Sequence, residues 1–249
     1  MLQLNDITVS RGNNQILQNL CCTARAGDVI AIVGVNGAGK STLFDTIAGS
    51  IRPQYGTIIL DGSDITALDE LKRASLITRI FQKTELNSVG SFTVLQNLAL
   101  ALYSRHRACL VNGLSVIPRE RARTLITQLG MHESILDKRM NQLSGGQRQL
   151  VAFAMATQLT PKILLLDEPT ASLDPHAATT LLSYAIKFIR KQAITTLIIT
   201  HDPHIALSIG TKIWVLEHGT ITKQFSEADK NSLTPDDLIG RIDYAQLAQ

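Results

Sequence analysis

Residues 34–41 read Gly34-Val35-Asn36-Gly37-Ala38-Gly39-Lys40-Ser41, and no other run constrains the fold of this chain as tightly. The run matches G-x-x-x-x-G-K-[ST], follows the apolar stretch Val29 to Val33 and opens a helical pattern from Lys40 to Ala48. Strand, glycine-rich loop and helix in that order make a phosphate cradle. The glycines let backbone N–H groups curl around phosphate oxygens, and the helix N-terminus adds positive partial charge. Lys40 reaches the terminal phosphates and the Ser41 hydroxyl is placed to ligate Mg²⁺. The expected phosphate contacts are Gly34, Asn36, Gly37, Ala38, Gly39, Lys40, Ser41 and Thr42.

The flanking pattern is α/β. Leu2 to Val9, Ile16 to Ala24, Thr57 to Leu60 and Ile77 to Phe81 read as strands, with Gly27-Asp28 and Asp61-Gly62 as turns. From about Phe92 to Leu159 the signal becomes helical: Val94 to Tyr103, Pro118 to Leu129 and Gly145 to Gln158, with Pro118 suited to a first turn and Gly130 to a C-terminal cap. Strands return at Ile163 to Leu166, Thr195 to Ile199 and Ile213 to Leu216, with a helix from His176 to Arg190 after the first. Strand, helix, strand at that spacing predicts a parallel sheet. The polar tail from Ser226 holds one expected helix near Pro235.

Two further constellations narrow the chemistry. The strand run Ile163-Leu164-Leu165-Leu166 ends in Asp167-Glu168. A strand-end Asp beside a phosphate cradle suits Mg²⁺, and the adjacent Glu168 suits polarisation of an attacking water. Upstream lies Leu143-Ser144-Gly145-Gly146-Gln147, in which Ser144 is an N-cap candidate and the two glycines bare first-turn N–H groups, an anion site. With these motifs in this order, the chain resembles the ATP-binding-cassette (ABC) ATPases from Leu2 to about Phe225. The resemblance implies a single ABC ATPase domain over 1–249: a P-loop core of 1–91 and 160–225 with a parallel sheet and an N-terminal antiparallel β subdomain, an inserted α-helical subdomain at 92–159, and a short tail at 226–249.

The resemblance also assigns roles residue by residue. It implies ATP and Mg²⁺ as ligands, with Ser41, Gln82 and Asp167 around the metal, Glu168 as general base, and His201 as the switch histidine. Gln82 resembles the Q-loop glutamine, and Ser172-Leu173-Asp174 resembles the D-loop. Two copies pack head to tail in this family, so that Ser144, Gly145, Gly146 and Gln147 of one close over the nucleotide of the other. Where the family stacks an aromatic residue on adenine, this chain has Arg11, whose guanidinium can also stack on a base.

Composition excludes several classes. At 45% hydrophobic and 18% charged residues over 249 positions, the chain has material for a core and is not a disordered polyelectrolyte. A net charge of +3 does not imply nucleic acid, and none is expected as a partner. No apolar run approaches the ~18 residues that a spanning helix needs, and the N-terminus does not read as a secretory signal. Cys21, Cys22 and Cys109 form no disulfide or metal pattern and are expected to be buried thiols. Pro203 between His201 and His204 argues against a zinc pair, and Arg105, His106 and Arg107 read as a solvated face, the alternative being contact with a membrane partner or anionic headgroups.

With no membrane segment of its own, a chain resembling this family is expected at the cytoplasmic face of the cell membrane. Its expected partners are a second copy, integral membrane permease subunits and, for an uptake system, an extracytoplasmic solute-binding protein. The pattern looks closest to bacterial uptake ATPases for small solutes such as amino acids. The alternatives are a soluble ABC ATPase acting on DNA or translation, and an ABC component of lipid trafficking or cell division. The absence of heptads between Lys40 and Ser144 argues against the coiled-coil DNA members.

Overall fold

The computed structural model describes residues 1–103, 118–158, 160–171 and 173–239. In chain order the elements are β1 (Leu2–Arg11), β2 (Asn14–Ala24), β3 (Val29–Val33), α1 (Lys40–Ala48), β4 (Tyr55–Leu60), β5 (Ser63–Asp64), α2 (Glu70–Arg73), β6 (Ile77–Ile80), α3 (Val94–Tyr103), α4 (Arg119–Gln128), α5 (Gly145–Gln158), β7 (Ile163–Asp167), α6 (Pro175–Gln192), β8 (Thr195–Ile199), α7 (Pro203–Ile209), β9 (Lys212–Glu217), β10 (Thr220–Phe225), α8 (Glu227–Lys230) and α9 (Pro235–Ile239). They fall into two compact units: Met1–Thr78 with Pro161–Glu168 and Ala193–Gln249, and Arg79–Thr160 with Pro169–Gln192.

The first unit holds a four-stranded antiparallel sheet in the order β2-β1-β4-β5. Its larger sheet runs β10-β9-β3-β8-β7-β6, in which β3 pairs in parallel with both β8 and β9, and β7 with β8. The expected parallel core is therefore present, with an unforeseen antiparallel edge strand, β10. Every residue of β3 is buried because both of its faces are covered. Ile30 and Ile32 join Leu43, Phe44 and Ile47 of α1 and Leu4, Ile7 and Leu17 of the antiparallel sheet, whereas Ala31 and Val33 meet Ala206 of α7 and Leu238 of α9. The phosphate-loop helix is thus gripped by one core that both sheets share.

The two adjacent cysteines do not share one fate. Cys22 is buried, and burial pushes its thiol far above the ordinary range. Cys21 is exposed, contrary to expectation, and its Sγ donates to Asp6 Oδ1 at 3.1 Å. Side chains alternate across a strand, so only one of two neighbours can enter the core. Cys109 and the basic cluster at 105–107 lie outside the described residues, as does Ser172.

A buried cation closes the far end of α1. Arg73 is 1% exposed, and its Nη1 donates to the carbonyls of Thr46 and Ile47 at 2.8 and 2.7 Å, while Nη2 donates to that of Thr66 at 3.1 Å. Two of these carbonyls belong to the last turn of α1, where acceptors lack intrahelical partners and a positive charge is favoured. Arg73→Met should therefore lower stability by about 3 kcal/mol or more, since several buried carbonyls lose charge-assisted donors at once. Thermal unfolding would read this as a fall on the order of 10 °C.

The second unit is built around α5, whose Val151, Phe153 and Ala154 are buried. The Phe153 ring meets that of Tyr184 on α6 edge-on at 5.9 Å, and the Tyr184 hydroxyl donates to Gln128 of α4 at 3.3 Å. The helices expected at 94–103 and 145–158 occur with those bounds, and Gly130 takes φ 73 just past α4. Pro118 precedes α4 rather than opening its first turn. Among the described residues no helix is long and apolar enough to cross a membrane.

Candidate nucleotide site

The phosphate loop follows β3 and enters α1 through Gly39 at φ 104. Gly39 brings no side-chain cap and the first turn holds no acidic residue, so the leading N–H groups of α1 are left for an external anion. A side chain could not replace Gly34, because a Cβ there would lie 2.1 Å from the Leu216 carbonyl oxygen. Lys40 is 9% exposed and its Nζ donates to the carbonyls of Gly34 and Val35 at 2.7 and 3.0 Å. Burial pulls the Lys40 ammonium below its ordinary range, opposed by the carboxylates of Glu168 and Asp167. A cation held by the loop's own carbonyls can exchange them for phosphate oxygens. These residues fit a triphosphate.

The parallel register sets the acidic side. Asp167 ends β7 opposite Ile199 of β8 and is 8% exposed. Glu168 follows at φ 46, and its N–H donates to the Ile199 carbonyl at 3.0 Å. A non-glycine residue in the left-handed region is disfavoured, and here that geometry turns the chain sharply off the strand end. Just past β8, Nδ1 of His201 lies 3.2 Å from Oε2 of Glu168. The fold thus gathers Lys40, Asp167, Glu168 and His201 at the carboxyl ends of neighbouring strands, where open α/β sheets bind ligands. Ser41 and Asp167 offer hard oxygen donors that suit Mg²⁺, a cation that keeps waters and substrate phosphates in its shell.

The other expected residues lie elsewhere. Arg11 is exposed at the β1–β2 hairpin, with Nη2 3.9 Å from Oδ2 of Asp45 on α1. Gln82, Ser144 to Gln147 and Asp174 belong to the second unit. Ser144 caps α5 through a reciprocal pair: its Oγ accepts from the Gln147 N–H, and Gln147 Oε1 accepts from the Ser144 N–H, both at 3.2 Å. The glycines at N1 and N2 stay free of side chains above that helix end. Asp174 uses its carboxylate to accept from the Ala177 N–H at 2.9 Å, capping α6.

The ABC transporter family model matches residues 17–171. The chain belongs to that family. It is an ATPase and an ATP-binding subunit of the ABC type. A tyrosine transport ATP-binding protein of Clostridioides difficile is 36% identical, covering 98% of this chain and 100% of the relative. A methionine import ATP-binding protein of Carboxydothermus hydrogenoformans is 33% identical over 84% of this chain, which spans 60% of that relative. A spermidine/putrescine import ATP-binding protein of Aggregatibacter actinomycetemcomitans is 34% identical, with 58% of its length spanned. The dimeric post-hydrolysis structure of the ATP-binding cassette MJ0796, bound to ADP and phosphate, matches with a TM-score of 0.79 at 28% identity over 91% of this chain and 99% of that one. The ADP form of the cassette MJ1267 matches at 0.78 and 27% identity, over 97% of both chains.

This ABC cassette has one support for its phosphate loop that the motifs do not announce. The β9–β10 turn places His218 at φ 47 and Gly219 at φ 79. The Gly219 N–H donates to the Ala38 carbonyl at 3.0 Å, and its own carbonyl accepts from the Gln18 N–H at 3.0 Å. The turn ties the loop to β2. A His-Gly pair between the apolar run Ile213 to Leu216 and the run Thr220 to Phe225 is the signal that could have revealed this hairpin.

Proposed function

We propose that two copies of this cassette drive uptake of a small solute, most plainly an amino acid, through separate integral membrane permease subunits at the cytoplasmic face of the membrane. The observation that carries the ATP-driven part is electrostatic and geometric. Asp167 and Glu168 both act on the Lys40 ammonium, and Glu168 lies within hydrogen-bond reach of His201. Lys40 and the N–H groups of Gly37 to Thr42 would hold the phosphates, and Ser41 and Asp167 would hold Mg²⁺. When bound, the metal neutralises charge on the transferring phosphoryl group. Glu168 takes the proton of the attacking water, and His201 keeps that carboxylate oriented. Gln82 is the family's position for meeting the metal or the water.

Closure over the nucleotide uses the glycine end of α5, capped by Ser144, on the partner copy, together with its Asp174. Anion binding at such a helix end follows from its unsatisfied N–H groups and its dipole. Arg11 is the residue offered to the base. The amino-acid cargo is supported by the tyrosine transport relative, which aligns over its full length. An extracytoplasmic solute-binding protein completes an uptake system of this kind.

Reconstitution tests the reading. The tagged chain is purified with the integral membrane protein that accompanies it, placed in proteoliposomes with ATP on the cassette side, and assayed with labelled amino acids. ATP-dependent movement of an amino acid toward the cassette side is expected. Recovery without any membrane protein, or brisk hydrolysis that moves no amino acid, would refute it.

A further inference from the structure

Gln82 sits in a turn that is tied down on both sides. The Asn87 side chain accepts from the Phe81 N–H and donates to the Phe81 carbonyl, both at 2.8 Å, closing a ring around the segment that carries Gln82. Thr84 and Glu85 continue in a 3-10 turn over Thr84–Asn87, and Thr84 is 5% exposed. Arg148, in the first turns of α5, reaches this segment from the other side. Its Nε donates to Thr84 Oγ1 at 3.1 Å, its Nη2 to Glu85 Oε1 at 3.4 Å, and its Nη1 to the carbonyl of Leu143 at 2.8 Å. One planar guanidinium therefore spans the turn after Gln82 and the residue immediately before Ser144.

We infer that Arg148 is a positioning residue that makes the Gln82 turn and the N-terminal end of α5 a single mechanical piece. The inference rests on the proposed roles of Gln82 and of the Ser144-Gly145-Gly146 helix end. Its consequence is that the group meeting the metal or the water and the helix end offered to the partner's nucleotide change position together. Lysine could not replace this arginine, because an ammonium is a point donor that lacks the fixed fork needed to hold three acceptors on two segments. Glu85 strengthens the contact: it is exposed, but its carboxylate is held below its ordinary range by a backbone hydrogen bond, Thr84 and Arg148.

The test is a kinetic double-mutant cycle on the full chain with MgATP. Arg148→Ala should lower kcat about tenfold or more while ATP affinity of the isolated chain changes less than about twofold, which separates a positioning loss from a binding loss. Arg148→Lys should fail to restore it. In a Gln82→Ala background the further effect of Arg148→Ala should largely vanish, because a residue acting through another is non-additive with it. Thr84→Val, which removes the Nε acceptor and the hydroxyl's own bond to Glu85 but leaves the Arg148 guanidinium in place, should show a smaller loss of the same type and guards against misfolding of the Arg148 variants. In a Glu168→Gln background, Arg148→Ala should weaken ATP-driven dimerisation by about tenfold.

Fully additive losses, or unchanged kcat and dimerisation in Arg148→Ala, would overturn the assignment. Failure of the Glu168→Gln single variant to dimerise would instead remove the functional reading, and this inference with it.

Discussion

Glu168→Gln is expected to cut steady-state ATP hydrolysis by about 10²- to 10⁴-fold while leaving ATP bound. The carboxylate has the geometry that supports its proposed role as base. It leaves the end of β7 at φ 46, its oxygen lies 3.2 Å from His201, and it is set beside the Asp167 that suits the metal. Glutamine keeps the shape and the hydrogen-bonding oxygen but cannot accept a proton from water. The phosphate contacts proposed for Lys40 and the loop do not involve this side chain, so ATP affinity should change by less than about threefold. Blocked turnover should accumulate the ATP-bound dimer, visible as a doubling of mass in sedimentation with MgATP. Single-turnover kinetics separates chemistry from release. Near-normal turnover in this variant would remove Glu168 as the base and leave its strained backbone without a catalytic reason.

Much of this site was legible because its chemistry is carried by contiguous residues. The phosphate loop, the acidic end of β7 and the capped glycines that open α5 each occupy one short run, and each run has a period or punctuation that predicts its element. The run Ile163 to Leu166 is apolar throughout because both faces of the strand are covered, so Asp167 and Glu168 mark its end. Non-local supports left no such trace. The bond from Gly219 to Ala38 joins backbone groups from distant parts of the chain, and backbone donors carry no residue identity. Arg73 looks like one more charge on a short helix, and only packing shows that it serves the last turn of α1. Cys21 departs from the burial that its apolar run suggests because a strand with one face packed buries every second residue.

The same separation explains the division of labour around the phosphate loop. Its local sequence supplies the flexible backbone and the cation, while the rigidity comes from Leu216 pressed against Gly34 and from the β9–β10 turn bonded to Ala38. A loop preorganised in this way need not be ordered when phosphate arrives, which lowers the entropic cost of binding.

Lys40→Ala should accordingly reduce ATP affinity by about 100-fold or more, with little reshaping of the loop around it. In the proposed role the lysine gives charge-assisted donors to the terminal phosphates, and each such bond is worth about 1.5–3 kcal/mol when its partner is charged. In the free chain the ammonium rests on the carbonyls of Gly34 and Val35, so truncation loses those bonds too, but the loop retains its outside supports. Thermal unfolding without nucleotide should therefore shift far less than the ATP-induced rise. For the wild-type chain that rise corresponds to about 2.7 kcal/mol at a hundredfold excess over Kd, and in the variant it should nearly vanish. The pH dependence gives an independent check. Burial lowers the Lys40 pKa, and only the protonated amine attracts phosphate, so wild-type ATP affinity should fall as pH rises through that lowered value. Alanine cannot titrate, and this component of the pH dependence should be missing from the variant. Equal affinity for ATP in the two proteins, or equal loss toward alkaline pH, would show that the ammonium is not what holds the triphosphate.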